Sequence, residues 1–502
     1  MVSEQTFNKR QCSSHSSKTL IKEEGIIYKV KKPVRAISGI IVVAVMTKTY
    51  SCPHGRCIYC PGGTYLGTPR SYVRRSPAVM RAMLYDYDPY NQVRARLNQY
   101  IAMGHKPSKI EIIVMGGTFP AMPLDYQEWF ITQIFDALNR YPKPKRKKWI
   151  SLEKAIKKNE KAKIRCIGLT IETRPDWSKE RHIDRFLRFA ATRVELGVQT
   201  VFDDILEKIK RGHTVRDTIE ATRLLKDAGY KIVYHMMPGL PGSDVKRDFK
   251  AFQIIFEDPN FKPDMIKIYP TLVFPNTQLY EMWKRGEYVP YTHEELIELV
   301  AKIKTIVPPY VRIMRIQRDV PISEIVAGLK IGNFRQVVQE YMRKHGLKCR
   351  CIRCREIGHY ILKKRKIPPF EDARLTITRY EASEGIEVFL AYEDTVRDII
   401  YGFLRLRIPS PKAHRKEIDN KSAIVRELHV YGPQIPVGVK HEKYWQHKGI
   451  GRKLLKVAER IALEEYDKCK MFIISGVGVR EYYRKLGYRK YPSSFYMYKR
   501  LK

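Results

Sequence analysis

At 502 residues and 44% hydrophobic content, the chain is long enough for two or three domains with real cores. Its 94 Lys and Arg against 53 Asp and Glu leave a net charge of +41, which favours a polyanionic partner and works against a basic one. No apolar stretch is long enough to span a bilayer, and nine cysteines in so long a chain are not a secreted disulfide framework. A soluble, cytoplasmic protein with no membrane partner is expected. RNA or DNA leads the list of partners, because 32 tyrosines among so many basic residues suit stacking on unpaired bases.

Residues 1–30 have weak periodicity and read as a mobile basic tail. The apolar, β-branched run Ile40–Met46 then reads as a buried strand. It leads into Cys52-Pro53-His54-Gly55-Arg56-Cys57-Ile58-Tyr59-Cys60. Three closely spaced thiolates can hold three irons of a [4Fe–4S] cube and leave the fourth iron open. The alternatives are buried free thiols or a structural zinc loop, although zinc normally closes with four ligands. Glycines and prolines around the loop, which let backbone approach a bulky group, favour the cluster.

Further strand-like runs are Ile110–Met115, Ile164–Ile171, Arg193–Val198, Lys231–Met237 and Met265–Tyr269. They alternate with helical patterns such as Asp125–Asn139 and Val215–Ala228. Six β/α units in a row over 31–310 predict a parallel sheet, open or curled as part of a barrel. In such sheets the chemistry sits at the C-terminal ends of the strands, where the three cysteines fall. The basic run Lys143-Pro144-Lys145-Arg146-Lys147-Lys148, continued from Lys154 to Lys163, is either a solvated loop or a phosphate-contacting patch.

Residues 311–370 break the alternation and read as a connector. Cys349, Cys351 and Cys354 lie close enough together to suit one zinc ion pinning a segment that lacks its own core. Free thiols in an arginine-rich loop are the alternative. His359 is the nearest fourth ligand, and a distant residue is equally open. Over 371–502 the strands Leu375–Tyr380, Ile386–Ala391, Ile399–Leu406 and Ile424–Val430 precede an amphipathic helix, Ile450–Leu463. Then come Met471–Ser475, a short helix near Val479–Leu486 and a strand near Ser494–Tyr498, which together make an α+β module. Gln446-His447-Lys448-Gly449-Ile450-Gly451-Arg452 opens the long helix, so free backbone N–H groups at its N-terminus can hold an anion such as a pyrophosphate.

That loop resembles the Gln/Arg-x-x-Gly-x-Gly/Ala acetyl-CoA loop of the GNAT acetyltransferase fold. The N-terminal half resembles a radical S-adenosylmethionine (SAM) domain. In this order the two resemble the Elongator catalytic subunit family, in its single-chain archaeal or bacterial form. The carriers begin with Lys32-Pro33-Val34-Arg35, the cysteine loop, Met115-Gly116-Gly117-Thr118-Phe119 and Glu172-Thr173-Arg174-Pro175-Asp176. They continue through Arg193–Gln199, His235–Gly242, Arg315–Asp319 and Arg426–Gly432. The first cysteine gap is four residues, where most radical SAM enzymes have three; this family tolerates the longer gap.

The resemblance implies an α/β partial (β/α)6 radical SAM barrel, a zinc-pinned connector and a GNAT-like α+β domain. It implies an acyltransferase that acts on the anticodon stem-loop of tRNA, placing a carboxymethyl precursor on C5 of the wobble uridine with SAM and acetyl-CoA. Cys52, Cys57 and Cys60 would ligate the cluster, and an external donor would reduce it. Gly116 and Gly117 would approach SAM with bare backbone. Glu172 and Arg174 would pair with its charged groups, or else form a structural ion pair. Gln199 and His235 would contact cofactor or substrate, and Lys267 would reach the same rim or be solvated. Gln446, Gly449, Ile450 and Gly451 would cradle the pyrophosphate, with Lys448 and Arg452 adding charge. Tyr482 or Tyr483 would lie against the acetyl thioester, where a phenol can protonate a leaving thiolate. Adjacent helical positions diverge, so one of the two faces the cleft. A homodimer and a chain working alone both stay open.

A protein lysine acetyltransferase is the rival reading, but its basic histone tails would be repelled by a +41 chain. A tRNA-binding scaffold without chemistry is a third, opposed by the intact cysteines and glycine loop.

Overall fold

The structure is a computed structural model that describes residues 22–23, 26–27, 39–146, 148, 150–365, 368–432, 449–492 and 494–502. Most of the expected tail, residues 32–35, and Gln446, His447 and Lys448 of the glycine loop lie outside these.

Seven parallel strands form the first sheet: β1 (Ile41–Met46), β2 (Lys109–Met115), β3 (Arg165–Thr173), β4 (Arg193–Gln199), β5 (Lys231–Met236), β6 (Met265–Ile268) and β7 (Arg312–Arg315). Their order, β7-β6-β5-β4-β3-β2-β1, follows the chain, as in a curled half-barrel with two open edges. All six expected strands are present. The seventh lies just beyond the expected edge of the domain, because Arg312-Ile313-Met314-Arg315 is short and half basic.

Alternation gives each strand two faces. In β4, Val194, Leu196 and Val198 are fully buried in the apolar layer shared with the outer helices. These helices include α1 (Leu124–Arg140), α2 (Glu180–Arg188) and α3 (Val215–Asp227). Arg193, Glu195 and Gln199 take the other face, which lines the hollow of the half-barrel. There Arg193 pairs with Glu111 of β2, and Glu195 with Lys267 of β6. The hollow is therefore charged from the strand starts to the strand ends.

The C-terminal sheet holds β8 (Arg374–Ala382), β9 (Gly385–Asp394), β10 (Ile399–Ile408), β11 (Ser422–Val430), β12 (Lys470–Ile473), β13 (Arg489–Lys490) and β14 (Met497–Arg500). Its order is β8-β9-β10-β11-β12-β14-β13, and β11 with β12 is its parallel pair. Pairing of these two runs from Ser422 to Val425, whereas β11 continues to Val430. The strands part beyond that point and open a wedge, over which α4 (Ile450–Glu464) lies. This is the α+β module expected from the sequence.

The module docks on the starts of the barrel strands through buried charge. Arg426 of β11 is fully buried, 2.8 Å from both Asp264, just before β6, and Glu387 of β9. Arg407 of β10 bonds Asp227 at the end of α3 at 2.7 Å. Backbones approach so closely that a Cβ on Gly476 would lie 2.0 Å from the Ile167 carbonyl oxygen. Among the described residues, no helix is long and apolar enough to cross a membrane.

Candidate functional site

The cysteine loop closes over the C-terminal rim of the half-barrel. Turns from Cys52 to Gly55 and from Cys57 to Cys60 fold it tightly, and the Ile58 N–H donates to the Ile209 carbonyl at 3.2 Å. Cys57 and Cys60 are buried, and Cys52 is partly so. Donors already surround the sulfurs. Ser71 N lies 3.2 Å from Cys60 Sγ, Arg211 Nη1 3.7 Å from Cys57 Sγ, and His54 Nε2 3.2 Å from the same sulfur. Burial, and then the neighbouring Cys57, push the Cys60 thiol up to about 11. A thiolate set here therefore needs a cationic group to stabilise it, which a cluster of iron supplies.

Around this loop the strand ends bring together the remaining expected residues. Gly116 follows β2 at φ 144°, and a Cβ there would meet Thr47 Oγ1 at 2.0 Å, so the bare backbone is obligatory. Glu172 is buried and accepts from Tyr72 OH at 2.6 Å. Burial pushes its carboxyl up, against the pull of Lys267. Arg174 does not pair with Glu172. It forks onto Asp176 at 2.9 Å and donates to the Gly212 carbonyl at 2.8 Å, while its Nη1 is buried without a partner on the side of Cys52. Gln199 adopts φ 73° with a buried, unpartnered Oε1. Orphan donors and acceptors near three thiols fit a charged, zwitterionic cofactor.

Lys267 is not solvated. Its ammonium is buried and bonds Glu195, which also lies 2.8 Å from His235 Nε2. Burial pushes Glu195 up, but Lys267 and His235 outweigh it and hold the carboxyl well below its usual range. Burial, with Lys267 beside it, drives His235 down to about 4. Glu172, Glu195 and His235 lie within 4.8 Å of one another, and the Lys267 ammonium takes the place a cation would fill among them.

Sequence reasoning missed Tyr72, Glu195 and Arg211 as members of this site. Glu195 had a signal: Arg193-Val194-Glu195-Leu196 alternates charge with apolar residues, as a strand lining a polar hollow must. Tyr72 and Arg211 sit on loops with no local signal.

In the C-terminal wedge, Gly449 caps α4 at φ 84°. A Cβ on Gly451 would lie 2.9 Å from Tyr482 OH and within 4 Å of Leu428 and Val430. Tyr482, on the short helix Arg480–Arg484, thus faces the glycine turn, and burial pushes its phenol up to about 12. Tyr483 turns into the core, 6.1 Å from the Tyr488 ring. Ile450 is buried as the first residue of α4, so only its N–H is available to a ligand, and the Arg452 charge lies near Tyr482.

The sulfurs of Cys349, Cys351 and Cys354 lie within 4.8 Å of one another and can hold a metal ion. His359 is not of this group; its ring lies near Glu356, Arg353 and Arg312, and burial lowers it to about 4.

Residues 46–251 match the Radical SAM superfamily model, and residues 263–344 the Radical_SAM C-terminal domain model. The chain is 55% identical over 464 residues to the tRNA uridine(34) acetyltransferase of Methanocaldococcus jannaschii, covering 92% of this chain and 84% of that one. It is 45% identical over 466 residues to Elongator complex protein 3 of Drosophila melanogaster, covering 91% and 83% of the two chains. The solved structure of the archaeal Methanocaldococcus infernus Elp3 with an N-terminal deletion matches at TM-score 0.81 and 49% identity, over 93% of this chain and all of that one. Radical SAM membership brings a [4Fe–4S] cluster and SAM, which the three thiols and the orphaned polar atoms fit. From the cysteine loop to the C-terminal wedge, then, this chain belongs to the family of tRNA uridine(34) acetyltransferases and Elongator complex protein 3.

Proposed function

We propose that this chain modifies the wobble uridine of tRNA at C5, using acetyl-CoA and SAM. The observation that carries the reading is the 55% identity to a tRNA uridine(34) acetyltransferase across 92% of this chain. The charge of +41 suits an RNA substrate and argues against a histone tail.

Cys52, Cys57 and Cys60 hold the cluster, and the Ser71 N–H and Arg211 damp the negative charge of the sulfurs. When bound, the cluster and SAM supply a one-electron route to a carbon radical, after reduction by an external donor. Gly116 and Gly117 admit the cofactor to the backbone, and Arg174 Nη1 and Gln199 Oε1 offer it polar contacts. Glu195 fixes Lys267 as a positive charge on the rim, and burial with Lys267 beside it keeps His235 neutral. Tyr72 holds the buried Glu172 carboxylate at the same strand end.

Gly449, Ile450 and Gly451 present backbone N–H groups to the acetyl-CoA pyrophosphate, with Arg452 beside them; Gln446 and Lys448 of the same motif lie outside the described residues. Tyr482, and not the buried Tyr483, holds a proton at the thioester. Cys349, Cys351 and Cys354 bind zinc and pin the connector to the start of β7, where the Ile352 N–H donates to Val311 at 3.0 Å.

Mass spectrometry of tRNA digested after anaerobic incubation tests the reading. A modified wobble uridine is expected with SAM, acetyl-CoA and reductant together, and none when any one is omitted. Unmodified uridine from fully loaded protein, with a Lys peptide acetylated instead, overturns it. Replacing Cys57 and Cys60 by Ala is expected to abolish the iron absorbance and leave acetyl-CoA binding intact.

A further inference from the structure

Lys145 of the basic run meets the aromatic residues of α1. Leu124, Tyr126 and Trp129 line a shallow cleft of about 710 Å³ together with Lys48, Asp125 and Glu128. The Tyr126 and Trp129 rings lie 5.5 Å apart, and both are half-buried. Lys48 Nζ stands 4.7 Å from the Tyr126 ring centre, and Lys145 Nζ 5.4 Å from that of Trp129. Asp88 fixes Lys145 there at 2.5 Å. Leu124 leaves 59% of its surface exposed at the helix start. The two carboxylates of the cleft are occupied: Glu128 by Arg188 at 3.0 Å, and Asp125 by the Tyr126 N–H at 2.7 Å.

The cleft also adjoins the radical site. Lys48 follows β1, its N–H donates to Tyr126 OH at 3.0 Å, and it precedes Cys52 by four residues. The two Cα atoms are therefore no more than about 14 Å apart. Before it, the Thr47 N–H bonds the Met115 carbonyl at 2.9 Å, which ties this corner to Gly116. Aromatic rings edged by cations are the usual means of holding an unpaired base and its phosphate.

We propose that the Tyr126–Trp129 cleft is a stacking site for an anticodon-loop nucleobase flanking the target uridine. Lys48 and Lys145 carry the adjoining phosphates. This rests on the tRNA reading above. It also assigns Lys145, in the basic run for which the sequence left two readings, to RNA contact.

Fluorescence anisotropy with an anticodon stem-loop RNA at several salt concentrations, on the full, cluster-loaded chain, tests it. Trp129→Ala is expected to weaken binding about tenfold at fixed salt, and Trp129→Phe to restore most of the loss. Lys48→Glu is expected to weaken binding and to reduce the slope of log affinity against log salt by about one. If wild type binds RNA and both Trp129→Ala and Lys48→Glu bind it equally well, the cleft assignment falls and the tRNA reading stands. If wild type binds no RNA, the tRNA reading itself falls. Unchanged RNA binding, with turnover lost under a protein electron donor but not under dithionite, makes the cleft a redox docking site and overturns the proposal.

Discussion

Lys267 stands on a short buried strand with its ammonium held against Glu195 and almost no contact with water. Replacing it by Met leaves a buried carboxylate short of its main partner, at a cost of about 3–5 kcal/mol. A thermal or denaturant melt checks this. The double variant Lys267→Met with Glu195→Gln is expected to cost less than the sum of the single changes, because no unpaired charge remains. In Lys267→Met the ring of His235 loses the positive neighbour that helps hold it at about 4, so an NMR titration is expected to find its pKa raised. At the other site the two adjacent tyrosines separate by direction. Tyr482→Phe is expected to slow acetyl-CoA turnover about a hundredfold or more, and Tyr483→Phe to leave turnover near wild type. The reason is that Tyr482 OH faces the Gly451 backbone while Tyr483 is 6% exposed in the core.

The start of α2 shows how one helix end sets a pH response. The Lys179 N–H donates to His182 Nδ1 at 3.3 Å, which requires a neutral ring. Burial, with Arg181 and Arg185 close by, lowers that imidazole to about 4. The unfolded chain takes up a proton near the ordinary histidine pKa, and the fold refuses it until about 4. Stability is therefore present above the ordinary value and lost as pH falls through that window, by about 1 kcal/mol after solvent screening. His182→Gln is expected to flatten the dependence in melts between pH 7 and 4. Elements of this size were largely legible in advance. The strands read true because Ile, Val and Met runs alternate with helical patterns, and the cysteine and glycine motifs mark their ends. What escaped was fixed by tertiary register. Glu195 and Lys267 are partners across two strands, and nothing in either local sequence says so. The strand Arg312–Arg315 is too short and too basic to stand out, and it forms because Arg312 bonds Glu356 at 2.7 Å and Tyr431 at 2.9 Å. Arg174 forks onto Asp176, two residues on, a local partner that the sequence reading did not name.

At the scale of the whole chain, the two sheets are joined by ions where an apolar seam would have been the simpler choice. Arg426, Arg407, Asp227, Asp264 and Glu387 are all buried at the joint. Removing one member strands the others, so Arg426→Met is expected to cost about 3–5 kcal/mol. Because the joint is buried and paired across both sheets, calorimetry of the wild type is expected to show one transition spanning them. Two separate transitions in the wild type would contradict a joint of this kind.

The close approach of Gly476 to Ile167 has a consequence for inheritance. A backbone that admits no methyl group, set among charges that tolerate no missing partner, allows neither half to drift alone. Any change on one side of the joint must be answered on the other within the same lineage. A chimera made by exchanging either half between distant relatives is therefore expected to fold only if the joint is carried over with it.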